Sequence, residues 1–355
     1  MRGIMDTFGN SIKLTLFGAS HAECVGFSLE GFPKGEPVDF DALRLALWRR
    51  SAAAHAFSTP RHEADEPIIE SGIEEGVTTG EPIVMRFMNR AHDRSEYRPV
   101  ARPSHADYSA FIKSRGQEDI SGGGRYSGRM TLPLTAAGAL AQGFLKRRGV
   151  EVFGHILAIG SERDGEFDPV SPERPAGDGL FPLVVPSRRA PMEALLSKAR
   201  AAGDTLSAEA EVAVTGLPAG LGDPLFDGME STLSRILFMI PGLRAVEFGR
   251  VNEFGSETND EFTEGGRTKT NRSGGVNGGL SNGMPLVLRV RFRPVPSIKK
   301  PQTGFDLEKM QPVPIEIRGR HDTCILPRGL AAVEAAAAIG IMELFLRDGN
   351  VGYGN

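Results

Sequence analysis

Two periods of apolar residues run along this chain, and they mark out helices and strands before any chemistry is considered. Asp41–Arg50 reads as a helix, with Leu43, Leu45, Leu47 and Trp48 supplying apolar bulk. Pro82–Met88, Val152–Ile159 and Leu206–Val214 read as strands. In a further strand Leu286, Leu288, Val290 and Phe292 alternate with Val287, Arg289, Arg291 and Arg293, which predicts one buried face and one basic face. Met130–Arg148 is a predicted helix rich in small residues (Ala136, Ala137, Gly138, Ala139, Ala141), a face that lets a neighbour come close; Pro133 fits only its first turn. Pro224–Ile240 is expected to be a helix stopped by Pro241-Gly242, and Pro327–Leu346 is the most apolar helix, suited to the centre of the molecule. Residues 161–191, with Pro169, Pro172, Pro175, Pro182, Pro186 and Pro191, read as a long surface connection. Helices and strands mix without a βαβα rhythm, so the expected class is α+β.

Composition narrows the picture. With 355 residues, 40% apolar and 24% charged, a packed core is expected. A net charge of −4 argues against a protein that coats nucleic acid. The longest apolar stretch, Gly329 to Leu346, carries Glu334 and Glu343 and reads as a buried helix, not a membrane span. The N-terminus lacks the apolar run of a secretion signal, because Lys13 and polar residues interrupt it, so a soluble cytoplasmic protein is expected. Cys24 and Cys324 set no disulfide framework. The basic residues are 32 Arg against 9 Lys, which suits a small anionic substrate but equally suits a codon bias toward arginine.

The candidate chemistry sits in loops, where functional residues concentrate. His21 follows Gly18-Ala19-Ser20, His105 lies in Arg102-Pro103-Ser104-His105-Ala106-Asp107, and His321 lies in Arg320-His321-Asp322. His55, His62, His92 and His155 have weaker contexts and are expected to be structural. No zinc-ligand spacing occurs, so no metal site is expected. Ser121-Gly122-Gly123-Gly124-Arg125-Tyr126-Ser127-Gly128-Arg129 precedes a helix and offers backbone N–H groups and two arginines to a phosphate; it also reads as a plain tight turn. A second glycine cluster, Asn271 to Gly279, precedes the Arg-faced strand.

These segments, in order and along nearly the whole chain, resemble the chorismate synthase family. The family's Gly-Glu-Ser-His-Gly is similar to Gly18–Ala22, its Arg-Pro-Gly-His-Ala-Asp to Arg102–Asp107, and its Gly-Gly-Gly-Arg-Ser-Ser-Ala-Arg-Glu-Thr to Gly122–Thr131. Its Asn-x-Ala-Gly-Gly-Ile-x-Gly-Gly-Ile-Ser is similar to Asn271–Ser281, its Lys-Pro-x-x-Ser to Arg293–Ser297, and its Gly-Arg-His-Asp-Pro-Cys to Gly319–Cys324. The resemblance implies a single domain over residues 1–355 with a β-α-β sandwich fold, usually a homotetramer. It implies anti-1,4-elimination of phosphate from 5-enolpyruvylshikimate 3-phosphate to give chorismate, in the shikimate pathway of aromatic amino acid biosynthesis, with reduced FMN as cofactor. NADPH as the reductant of that flavin stays open. By position, His105 is implied as the acid for the leaving phosphate, His21 as the histidine near flavin N1, and Asp322 as the carboxylate that helps flavin N5 take a proton. Flavin contacts are implied for Arg125, Tyr126, Ser127, Pro241, Gly242, Gly278, Arg293, Pro294, Val295, Pro296, Ser297 and Arg320, and substrate or NADP contacts for Ser20, Arg49, Arg50 and Arg129.

The chain also departs from the pattern. Ala19 and Ala22 replace a glutamate and a glycine, Ala56 replaces an arginine tied to the cofactor or substrate mouth, and Met130 replaces a glutamate. An active phosphate lyase is the expectation, and a degenerate, non-catalytic FMN- or phosphate-binding homologue is the alternative.

Overall fold

The computed structural model describes residues 7–59, 63–89, 99–177, 179–317 and 321–348. In strand Ile83–Met88, Ile83, Met85 and Phe87 are buried while the residues between them are only half-buried, the alternation of a strand with one face on a core. It pairs antiparallel with Cys24–Glu30, which pairs with Lys13–Gly18; the short strands Thr7–Phe8 and Ile68–Ser71 complete a five-stranded sheet. A second five-stranded antiparallel sheet is built from Glu151–Ile159, Ala208–Thr215, Leu286–Phe292 and Leu243–Phe248, edged by Glu162–Arg163.

Helices lie between the sheets. Leu326–Arg347 packs on Thr131–Lys146 and on strands Glu151–Ile159 and Ala208–Thr215 of the second sheet, and Thr131–Lys146 reaches Cys24–Glu30 of the first. The layering is the expected β-α-β sandwich. The small residues of Thr131–Lys146 do what their size suggests: a methyl group added at Gly138 would sit 2.2 Å from Ala335 Cβ on the facing helix. Leu326–Arg347 is apolar and long enough to cross a bilayer, but 89% of its most apolar window is buried in the protein, so it is a core helix. Its two buried carboxylates are satisfied. Glu343 accepts from the backbone N–H groups of Asn10, Ser11 and Ile12 at 2.8–3.1 Å. Glu334 accepts from both Arg49 Nη atoms, at 2.6 and 3.0 Å, and from the Gly154 N–H.

Three expectations need correction. The helix expected over Pro224–Ile240 is shorter, Met229–Leu237, because Leu225 takes a positive φ of 66° and Gly228 is extended at the helix start. Residues 161–191 hold the surface connection but also the start of a helix, Arg189–Ala201, whose proline lies in its first turn. The basic face of Leu286–Phe292 is not free: the register sets Arg289 opposite Glu211 and Arg291 opposite Glu209, and both pairs form ion pairs, at 2.9 and 3.1 Å. His155 is structural as expected, fully buried between Asp164 (3.0 Å) and Glu211 (3.2 Å). The same Asp164 accepts from the N–H groups of Val184 and Val185, pinning the long connection to the sheet. His62 and His92 lie outside the described residues.

Candidate active site

Three consecutive glycines turn beside a cavity that the first of them, Gly122, lines. Gly122, Gly123 and Gly124 have φ values of 59°, 91° and 52°, a left-handed run that other residues adopt only under strain. Space makes the same demand. A methyl group on Gly122 would lie 1.9 Å from His21 Cε1, and one on Gly123 would lie 3.5 Å from His105 Cε1. The glycine turn therefore brings the two histidines to one place, and the Ser20 N–H fastens the His21 loop to the Gly124 carbonyl at 3.1 Å.

His105 is oriented by Asp107. Its Nδ1 stands 2.7 Å from Asp107 Oδ1, so it carries the proton there and Nε2 is left for the cavity. Arg102 Nη2 also lies 3.1 Å from Nδ1, but a guanidinium only donates; its real partner is the Asp107 carboxylate, reached by Nε at 2.8 Å and Nη2 at 3.0 Å. Burial alone would raise the Asp107 pKa. The hydrogen bonds from His105 and Arg102 outweigh it and hold the carboxyl well below the usual range. The third arm of Arg102, Nη1, donates to Ser297 Oγ at 3.1 Å, joining this loop to the Arg293–Ser297 wall.

The same cavity is lined by a cluster of buried cations. Arg129 donates from Nε to Asn89 Oδ1 at 2.9 Å and from Nη1 to Asp65 Oδ1 at 2.5 Å; its Nη2 is buried without a hydrogen-bond partner among the described residues. Arg50 donates to Thr131 Oγ1 (3.1 Å) and the Gly128 carbonyl (2.8 Å) and lies 3.5 Å from Asp65. Full burial pushes its pKa down to about 9, and the neighbouring positive charges of Arg328 and Arg129 add to the fall, so it stays charged at neutral pH. Arg328 grips Asp322 with Nε at 3.0 Å and Nη2 at 2.6 Å. Burial raises the Asp322 pKa, but the Arg328 charge and hydrogen bond lower it further, so the carboxyl is held ionised below the usual range. Asp322 is therefore an ionised carboxylate at the cavity, paired with Arg328.

The cavity measures about 890 Å³ and, among the described residues, is lined by seven arginines against three carboxylates. Among the expected site residues, Ser20, His21, Arg50, His105, Arg125, Tyr126, Ser127, Arg129, Pro241, Gly242, all of Arg293 to Ser297, and Asp322 line it. Arg49 does not: its guanidinium is spent on Glu334 and, at 3.0 Å, on the Gly179 carbonyl. Gly278 sits in an exposed turn between two short strands, away from the cavity lining. Arg320 lies outside the described residues. The second glycine cluster is a folded turn in which the Asn271 amide bridges the carbonyls of Pro169 and Pro285. Sequence reading gives no role to Asp65, Asn89, Arg102 and Asp107; for Asp107 and Arg102 the signal is present, since both flank His105 in one short motif. Among the described residues, no group of three His, Cys, Asp or Glu is placed to hold a metal ion.

The four departures are each accommodated by the fold. Ala19 and Ala22 serve through their backbone carbonyls, which accept from Asn89 Nδ2 at 3.0 and 2.8 Å. Met130 is buried in the main core. Ala56 is exposed and its carbonyl accepts from Arg200.

Known proteins of the same kind match this chain from end to end. The chorismate synthase family model covers residues 12–346. A chorismate synthase of Thermococcus gammatolerans is 42% identical over 96% of this chain and 97% of its own length. One from Dehalococcoides mccartyi is 38% identical over 97% of both chains. A crystal structure of chorismate synthase superposes with a TM-score of 0.73 at 21% identity, covering 96% of this chain and 93% of the other, and shares the fold. By sequence along its whole length, this chain belongs to the chorismate synthase family.

Proposed function

We propose that the cavity catalyses the anti-1,4-elimination of phosphate from 5-enolpyruvylshikimate 3-phosphate to give chorismate, with reduced FMN bound beside the substrate. The observation that carries this reading is the excess of arginine among the described residues lining the cavity, together with a histidine set by a carboxylate on the same lining. Such an excess of guanidinium groups is stabilised by an anion, and a phosphate is the anion that must both bind and leave. The volume lies at the upper end of the ~300–1,000 Å³ usual for ligand sites, which suits two ligands together.

The residues also fit a flavin mononucleotide. Arg125, Arg293 and Ser297 offer donors, and Pro241-Gly242 and Pro294 to Pro296 offer flat walls without bulky side chains. When bound, reduced FMN supplies transient electron density to the substrate and recovers it, so the reaction has no net redox change. The protein's own work is to position and to move protons. Arg129 and Arg50 hold the departing phosphate. His105, kept as the Nδ1–H form by Asp107, presents Nε2 to protonate it. His21 lies against the glycine turn, and Asp322, held anionic by Arg328, is the acceptor facing the cavity.

The reading includes one functional domain over residues 1–355, a cytoplasmic setting and assembly into a tetramer. Exposed apolar side chains support the assembly, notably Leu225, Phe226 and Val251 at 85%, 93% and 90% exposure. The test is anaerobic turnover: with reduced FMN and the shikimate ester, the protein should release phosphate and form chorismate. Flavin binding with no phosphate release would establish the non-catalytic alternative instead. Replacing the chemical reductant by NADPH tells whether the chain reduces its own flavin.

A further inference from the structure

Asn89 lies at the end of strand Ile83–Met88, 5% exposed, and all its amide groups are engaged on two different parts of the site. Its Nδ2 donates to the carbonyls of Ala19 and Ala22, the residues that bracket Ser20 and His21. Its Oδ1 accepts from Arg129 Nε. Two carbonyls demand the NH₂ group and a guanidinium demands the oxygen, so the amide has only one workable orientation. Its own N–H donates to the Glu23 carbonyl at 2.9 Å, which fixes the backbone that carries it. The remaining side of Arg129 is held by Asp65, and the residue lines the cavity between these two anchors.

We infer that Asn89 is a positioning residue that ties the His21 loop to Arg129, so that the proton-handling side of the cavity and its anion grip keep one fixed spacing. The inference rests on the proposed elimination for its meaning, but not for its geometry. No other side chain type does the same work. Asp would face two carbonyls with a carboxylate, Leu would keep the bulk without hydrogen bonds, and Ser is too short to reach three partners.

The test compares wild type with Asn89→Leu in three measurements. Inorganic phosphate affinity, by calorimetry, reads the Arg129 arm. The titration midpoint of the His21 ring, by NMR on protein with labelled histidine and assigned by its loss in His21→Gln, reads the other arm. Turnover reads both. In Asn89→Leu, phosphate should bind about tenfold more weakly, the His21 midpoint should move by roughly half a pH unit or more, and kcat should fall about tenfold with a raised KM. A change confined to one arm, or wild-type values in both, overturns the inference. If wild type makes no chorismate while phosphate affinity and the His21 midpoint both move in the variant, the proposed reaction fails and the positioning role stands. Should Asn89→Leu not fold, Asn89→Ser is the second variant; it must move both binding readouts in the same directions, and wild-type values there likewise overturn the inference.

Discussion

Asp107 accepts the Nδ1 proton of His105 across 2.7 Å, and the same carboxylate is clamped by Arg102. The imidazole is thus fixed in ring orientation and in tautomer. Asp107→Asn should keep the fold but lose this control, lowering kcat by about 10- to 100-fold and changing the pH profile, with KM little affected. His105→Ala should cost roughly 10²–10⁴-fold. Steady-state phosphate release across pH checks both; near-wild-type rates would leave the pair structural.

Arg129→Lys replaces a planar fork by a point charge. Asn89 and Asp65 then compete for one ammonium, and the position of Nη2 is vacated. Substrate KM should rise about 10- to 100-fold, the value of a lost charge-assisted contact. An unchanged KM would mean that Arg50 alone supplies the anion grip.

Gly122→Ala puts a methyl group where His21 Cε1 now sits and forces a residue with a side chain to φ 59°. His21 must move by an ångström or more, and displacement on that scale is worth on the order of 100-fold in rate. A spectral titration with reduced FMN and a rate assay decide this; wild-type behaviour in both would show the turn to be pliable.

Acid should unfold this protein through its paired carboxylates. Asp107, Asp164, Glu211 and Asp322 all have pKa values lowered in the folded chain, because their hydrogen-bond and charge partners outweigh burial. For a lowered folded pKa, the stability is fully present above the unfolded value, about 4, and is lost as pH falls through the folded value. The carboxylate contribution should therefore hold above about pH 5, and melting temperature should drop steeply below about 4. Asp322→Asn should start from a lower melting temperature, since Arg328 loses its counter-charge beside Arg50, and should show a shallower acid limb. Turnover should fall as well, because Asn cannot accept a proton; normal turnover would remove Asp322 from the site chemistry.

Gly138→Ala probes the core. The added methyl meets Ala335 at 2.2 Å, so the helices must part, at a cost of about 1–3 kcal/mol. Calorimetry should record a melting temperature lower by several degrees; no change would mean that the contact relaxes freely.

Much of this architecture is legible in the chain because its strongest periods are long and uninterrupted. Pro327–Leu346 announces a core helix, and its two glutamates rule out a lipid-facing one; the structure gives Leu326–Arg347 and finds both carboxylates anchored. Other features were hidden by distance. Asp65 and Asn89 lie in stretches without pattern and meet Arg129 from 64 and 40 residues away. Arg49 and Arg50 are neighbours with the same side chain, yet the turn of the helix sends one to Glu334 and the other to the cavity. The basic strand face was misread although its answer was in view: Glu209 and Glu211 alternate in their strand as Arg289 and Arg291 do in theirs, the signature of an antiparallel charged pair.

The position of the central helix in the chain sets the order in which the fold can be completed. Glu343 closes on Asn10, 333 residues earlier, and every strand of both sheets leaves the ribosome before the helix that separates them. Until Leu326–Arg347 arrives, strands Glu151–Ile159 and Ala208–Thr215 of the second sheet and the small-residue face of Thr131–Lys146 lack their main apolar partner. Contacts of such long range are slow to form, so the nascent chain passes through a period of exposed hydrophobic surface in which chaperones, not the finished core, keep it from aggregating.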